Sequence, residues 1–96
     1  MNNSFSNTSK LVMTKNCIIS EIKKDCVVLD LISGKFLKIN ITGKTIFNEL
    51  SKEISYEELL LNMIKHYPQV SQTELDEDIR NFIKCCIEQN LIKVYD

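Results

Sequence analysis

Ninety-six residues, 44% of them apolar, bound the chain to one small domain with a modest core, and two glycines and one proline argue against a loop-rich chain. Lys+Arg 12 against Asp+Glu 13 leave a formal net charge of -1 with the signs interspersed, which excludes a strongly basic nucleic-acid footprint and any charged tail. No stretch approaches the roughly 18 to 20 consecutive apolar residues of a membrane span, and polar Met1–Ser9 lacks the apolar core of a signal peptide, so a cytoplasmic chain with reduced thiols is expected.

In chain order, residues 1–14 read as a mostly flexible tail, with a short extended piece over Lys10–Thr14, and residues 15–96 as the domain. Cys17–Ile22 alternates apolar and polar residues, and Lys23-Lys24-Asp25 makes a polar turn. Cys26 to Asn40 then reads as a hairpin around Ser33-Gly34-Lys35, so that three strands form a meander. A three- or five-residue loop containing Gly34 would place Val27, Leu29, Leu31, Leu37 and Ile39 on one face. Val28, Asp30, Ile32, Phe36 and Lys38 would share the other, which is too apolar for a plain solvent face.

Helix follows from near Thr42, with Thr42 or Asn40 as its cap and Ile46, Phe47 and Leu50 as its apolar stripe. A second helix opens with the capping box Ser55–Glu58, carries Leu59, Leu60, Met63, Ile64 and Tyr67 mostly on one side, and ends at Pro68. A third repeats the device with Ser71 and Glu74 and runs through Leu75, Ile79, Phe82, Ile83, Cys86 and Ile87 to a stop near Asn90. Its apolar positions cover an arc of roughly 200°, wider than the stripe of about 100° that one core requires. Leu91–Tyr95 reads as a short extended tail docked on the body.

No catalytic or metal constellation stands out. His66 is a lone histidine at a helix end, Gly34 and Gly43 each stand alone rather than in a phosphate loop, and Cys17, Cys26, Cys85 and Cys86 lack CxxC spacing. Glu74, Asp76, Glu77 and Asp78 open the third helix, where they favour its dipole and would also attract a basic peptide. An apolar, uncovered edge strand is an aggregation hazard unless it is kept open for a partner, which turns attention to Phe36 and Lys38.

The ordered set Gly34-Lys35-Phe36-Leu37-Lys38-Ile39-Asn40, Thr42-Gly43 and Ile46-Phe47-Asn48-Glu49-Leu50 is similar to the PqqD-like family, also called RiPP precursor peptide recognition elements. The likeness keeps order and spacing from about Cys17 to Tyr95. It departs at Phe47, where many members have Trp, and at Leu37 and Ile39, which replace an aromatic and a leucine. The resemblance implies an α+β fold, a three-stranded antiparallel sheet followed by three helices, winged helix-turn-helix-like. It implies a non-catalytic module, without a cofactor, that binds the leader of a ribosomal precursor peptide as an added strand along Lys35, Phe36, Leu37, Lys38, Ile39 and Asn40. A groove toward Asp76, Ile79, Arg80 and Ile83 of the third helix would take the leader's side chains. Delivery to a separate enzyme, a leader protease or a radical SAM protein, is expected, with a lasso-type pathway preferred over the pyrroloquinoline quinone one. A winged-helix DNA-binding regulator is the alternative, disfavoured because the third helix offers only Arg80 and Lys84 for phosphates.

Overall fold

Each helix starts where a side-chain oxygen meets an amide left without a partner in the first turn. In the computed structural model, which describes residues 5–23 and 25–96, Asn40 caps α1 (Ile41–Glu49) through its Oδ1, which accepts the Gly43 amide at 2.9 Å. Ser55 caps α2 (Tyr56–His66) by accepting from Glu58, and Ser71 caps α3 (Gln72–Glu88) by accepting from Glu74, each at 3.1 Å. Helix α3 ends in a Schellman motif: Asn90 takes φ 61°, its amide donates to Ile87, and the Leu91 amide donates to Cys86. Buried Leu91 supplies the apolar contact that accompanies such an ending.

The strands are β1 (Lys10–Met13), β2 (Cys17–Ile22), β3 (Asp25–Asp30), β4 (Phe36–Ile39), β5 (Ile54–Ser55) and β6 (Ile92–Tyr95). They form two antiparallel sheets of three strands each, ordered β2-β3-β4 and β5-β1-β6. The expected meander is the first of these. The second corrects the expected order of one sheet followed by three helices, since β5 lies between α1 and α2 and β6 follows α3.

It also corrects the expected flexible tail, although the extended piece expected over Lys10–Thr14 is present as β1. Residues 1–4 lie outside the described residues, but β1 is the central strand of its sheet and Leu11 is wholly buried. Carbonyls of Asn7 and Ser9 accept the Glu57 and Tyr56 amides that open α2, and the Ser9 hydroxyl donates to Asp96 at 2.5 Å. The sequence hides this because a four-residue strand completed by distant partners carries little periodic signal of its own.

The face assignment in the hairpin is also corrected. Leu29 pairs with Phe36, Val28 with Leu37 and Cys26 with Ile39, so Val28, Leu37 and Ile39 point inward while Val27, Leu29, Phe36 and Lys38 point outward. The loop Leu31–Gly34 has four residues, closed by the Asp30 amide donating to the Lys35 carbonyl and the Gly34 amide donating to the Asp30 carbonyl. Asp30 can share the parity of the core face because it sits at the sheet's rim. Its carboxylate accepts the Ile32 amide at 3.0 Å and the Ser33 hydroxyl at 2.9 Å, and Gly34 supplies φ 75°. Those donors hold the Asp30 carboxyl below the usual carboxylate range, the Ile32 amide most of all. Leu31 and Ile32, placed on strand faces by the sequence, are exposed in the turn. Of the expected turn Lys23–Asp25, Lys24 lies outside the described residues, Lys23 takes φ 59°, and Asp25 already pairs with Ile22.

The core joins α1 through Ile46, Phe47 and Leu50, α2 through Leu59 and Met63, and α3 through Leu75, Ile79, Ile83 and Cys86. Leu11, Val28, Ile39, Ile54 and Ile92 close it from the two sheets. Leu60, Ile64 and Tyr67 of the expected α2 stripe lie at its margin, half-buried.

Candidate functional site: an open strand edge beside a cleft

Strand β4 is an edge: among the described residues it pairs with β3 alone. The Asp30-to-Lys35 hydrogen bond sets the alternation of the ladder. Amides and carbonyls of Lys35, Leu37 and Ile39 face β3, and those of Phe36 and Lys38 face outward. Phe36 is 70% exposed on the outer face, opposite Leu29, which is opposite Ile18, so a cross-strand apolar row runs over the back of the sheet. Lys38 forms an exposed ion pair with Asp25 at 3.3 Å, and a lysine here suits an edge that must not pair indiscriminately.

On the inner side, at the far end of β4, the cross-strand row Glu21–Cys26–Ile39 stands over a cleft of about 1000 Å³. Its walls add Lys23, Asp25, Lys38, Asn40, Ile41, Lys44 and Phe82. The apolar part is Ile39, Ile41, Cys26 and the Phe82 ring, and Ile41 is 79% exposed. Lys44 bonds Glu21 across the cleft, and that hydrogen bond lowers the Glu21 carboxyl below its usual range and raises the Lys44 ammonium. A smaller cavity of about 160 Å³ lies between α1 and α3, lined by Asn40, Thr42, Gly43, Ile46, Asp78, Ile79 and Phe82. An extended peptide laid on the β4 edge would find main-chain partners on the strand and apolar side-chain space at its end.

The residues expected to bind peptide divide in space. Lys35 is in the exposed turn, Phe36 and Lys38 lie at the open edge, Leu37 is half-buried inward, Ile39 lines the larger cavity, and Asn40 lines both. Ile79 contributes to the smaller cavity, although only 1% exposed, whereas Ile83 is wholly buried in the core and offers no surface. Asp76 and Arg80 line neither cavity.

They belong to a cluster on another side of α3. The Arg80 guanidinium lies 4.3 Å from the Tyr56 ring centroid and 5.5 Å from that of Phe5, bonds Asp76 at 3.0 Å, and donates to Asn7. Tyr56 donates its hydroxyl to the same carboxylate at 2.6 Å, and burial followed by that bond raises its pKa. The cation that a duplex-reading helix would need is thus held internally, leaving Lys84 exposed on α3.

Phe82, Gly43, Ile41 and Lys44 line the cavities beyond the residues expected at the site, and so does Asp78, expected only as one of the acids that attract a basic peptide. Asp78 and Phe82 are four apart and share a helix side, but which side of α3 meets β4 is not contained in helical spacing.

The thiols divide as well: Cys17 and Cys86 are buried, Cys26 is half-buried, Cys85 is exposed, and all four are free. His66 is exposed in the last turn of α2, and no cluster of three or more metal-ligating side chains occurs among the described residues. Among the same residues no helix is long and apolar enough to cross a membrane.

Two solved structures share this fold. One, TbiB1 in complex with the TbiA(beta) leader peptide, superposes with a TM-score of 0.74 at 20% identity, covering 88% of this chain and 98% of that one. The other, lasso peptide synthetase B1 complexed with the leader peptide, gives 0.69 at 18% identity, covering 86% and 96%. No curated protein sequence matches. The sequence model described as coenzyme PQQ synthesis protein D (PqqD) matches residues 25–92, the span from β3 through the start of β6 that builds the open edge and most of the cleft and core, and the chain belongs to that family.

Proposed function

We propose that the protein is a non-catalytic peptide-binding module that takes the leader of a ribosomally made precursor peptide as an added strand on β4. The open β4 edge beside an apolar-floored cleft carries this reading. Main-chain groups of Phe36 and Lys38 supply affinity without regard to sequence, and the cleft at Ile39, Ile41 and Phe82 supplies selectivity. The two structural neighbours were both solved with leader peptides, which supports the same use of the fold here. We read the three helices with the β2-β3-β4 sheet as a winged-helix-like frame turned to peptide rather than DNA.

Covalent chemistry belongs to a separate enzyme, at which the module raises the effective concentration of the core peptide. The lasso peptide synthetase among the neighbours favours a leader protease over a radical SAM protein as that enzyme, and we place the work in the cytoplasm. Of the residues first expected at the site, Lys35–Asn40 and Ile79 are retained, and Asp76, Arg80 and Ile83 give way to Asp78 and Phe82.

Fluorescence anisotropy of a labelled leader, encoded by the neighbouring precursor gene and titrated with the protein, tests the proposal. Saturable binding that a scrambled leader and a random DNA duplex do not reproduce is the expected result. Absence of leader binding together with salt-sensitive duplex binding would overturn it.

A further inference from the structure

We propose that the contact between Gly43 and Phe82 sets the depth of the peptide cleft, so that Phe82 is its specificity-determining side chain. This rests on the reading that leader peptide enters the cleft.

Phe82 is the α3 residue that lines both cavities, standing as the partition between the larger one under the hairpin and the smaller one between α1 and α3. Its ring is held from behind by Phe47, edge to face at 5.9 Å and 84°. It is held from the side by the backbone of α1, where the missing side chain of Gly43 makes the room. A Cβ there would stand 3.1 Å from Phe82 Cζ, 3.3 Å from Cε1 and 3.0 Å from Ile39 Cβ.

Ile39 Cβ is tied directly to the β4 backbone and cannot swing away, so the ring is the member of this trio that can move. Ile39 and Phe82 are both cleft walls, which means that added bulk at Gly43 is transmitted to the ligand surface through them. Gly43 lies inside a helix with its amide already held by Asn40, and it adopts no backbone conformation that only glycine tolerates. Close approach is therefore the reason for glycine at this position. The ligand chemistry that fits is an apolar leader side chain of limited size, seated against the Phe82 ring and stopped by it. Removing the ring would join the two cavities and admit a larger side chain.

The test uses wild-type protein, Phe82→Ala, Phe82→Leu, Gly43→Ala and the double variant Gly43→Ala/Phe82→Ala. Each is titrated by anisotropy against the labelled synthetic leader and against copies in which each apolar residue is changed in turn to Ala or Phe. Circular dichroism serves as the folding control. Phe82→Ala is expected to weaken the native leader about tenfold, the scale of a pocket methylene or more, and to regain affinity for one Phe-enlarged copy. Gly43→Ala should weaken the native leader similarly, and its effect should shrink in the Phe82→Ala background because the two residues act through one contact.

Should Gly43→Ala fail to fold, the two Phe82 variants carry the test by their changed preference among leader copies. Folded variants that rank every leader copy as the wild type does would overturn the assignment while leaving leader recognition intact. A wild-type protein that binds no leader would remove the underlying reading itself.

Discussion

Proline in place of Lys38 separates strand addition from every other way of using this surface. The Lys38 amide faces the open edge, so proline there deletes no ladder hydrogen bond to β3, and edge strands tolerate proline in that orientation. A leader strand would lose one donor, and its facing carbonyl would be left without a partner, at a cost of about 1–3 kcal/mol or about 5- to 150-fold in Kd.

The substitution also removes the ion pair with Asp25, whose side chains are 68% and 56% exposed, a contribution of about 0–1 kcal/mol to stability. Lys38→Ala, which removes the charge and keeps the amide, is therefore the baseline. Leu37→Pro is the opposite control: its amide faces β3 and its side chain is half-buried, so it should destabilise the hairpin. Leader affinity is read by anisotropy and folding by circular dichroism. Lys38→Pro binding leader as tightly as Lys38→Ala, with an unchanged spectrum, would refute strand addition on β4.

Three further expectations follow from particular contacts. Asn40→Ala removes the cap of α1 and should cost about 1 kcal/mol, a fall in Tm of about 4–8 °C by thermal melting for a chain of this size. Arg80→Ala should lower Tm, because the guanidinium packs on Tyr56 and Phe5, while leaving leader affinity within about twofold; a large affinity loss with full stability would return Arg80 to the binding site. Burial, then neighbouring Cys85 and Cys17, pushes the Cys86 thiol up to about 12, so the folded chain retains a proton that the unfolded chain releases near 9. That part of the stability is complete below pH 9 and is lost as pH rises toward 12, which alkaline denaturation midpoints will show, and thiol labelling of the native protein should reach exposed Cys85 before buried Cys86.

What the chain states locally, it states well. Ser55 with Glu58 and Ser71 with Glu74 mark two helix starts, Asn90 marks an ending, and the stripes of Ile46, Phe47 and Leu50 and of Leu75, Ile79, Ile83 and Cys86 name core residues. Caps and stripes are short-range chemistry, complete within one or two turns. The hairpin shows where this stops being enough. Val27, Leu29 and Leu31 alternate with Cys26, Val28 and Ile32, so both faces are apolar apart from Asp30, and the Asp30 carboxylate, which argued against the inner face, is instead satisfied within its own turn.

Strands β1 and β6 depend on each other across more than 75 residues of chain, and neither carries a pattern that names its partner. The site divides in the same way. That β4 would be an edge with Phe36 and Lys38 turned outward was readable from the strand and its turn. That α3 meets it with Phe82, while Asp76 and Arg80 turn to Tyr56, was decided by the rotation of one helix about its axis. An apolar arc of roughly 200° leaves that rotation open, and only packing against α1, α2 and the N-terminal segment together closes it.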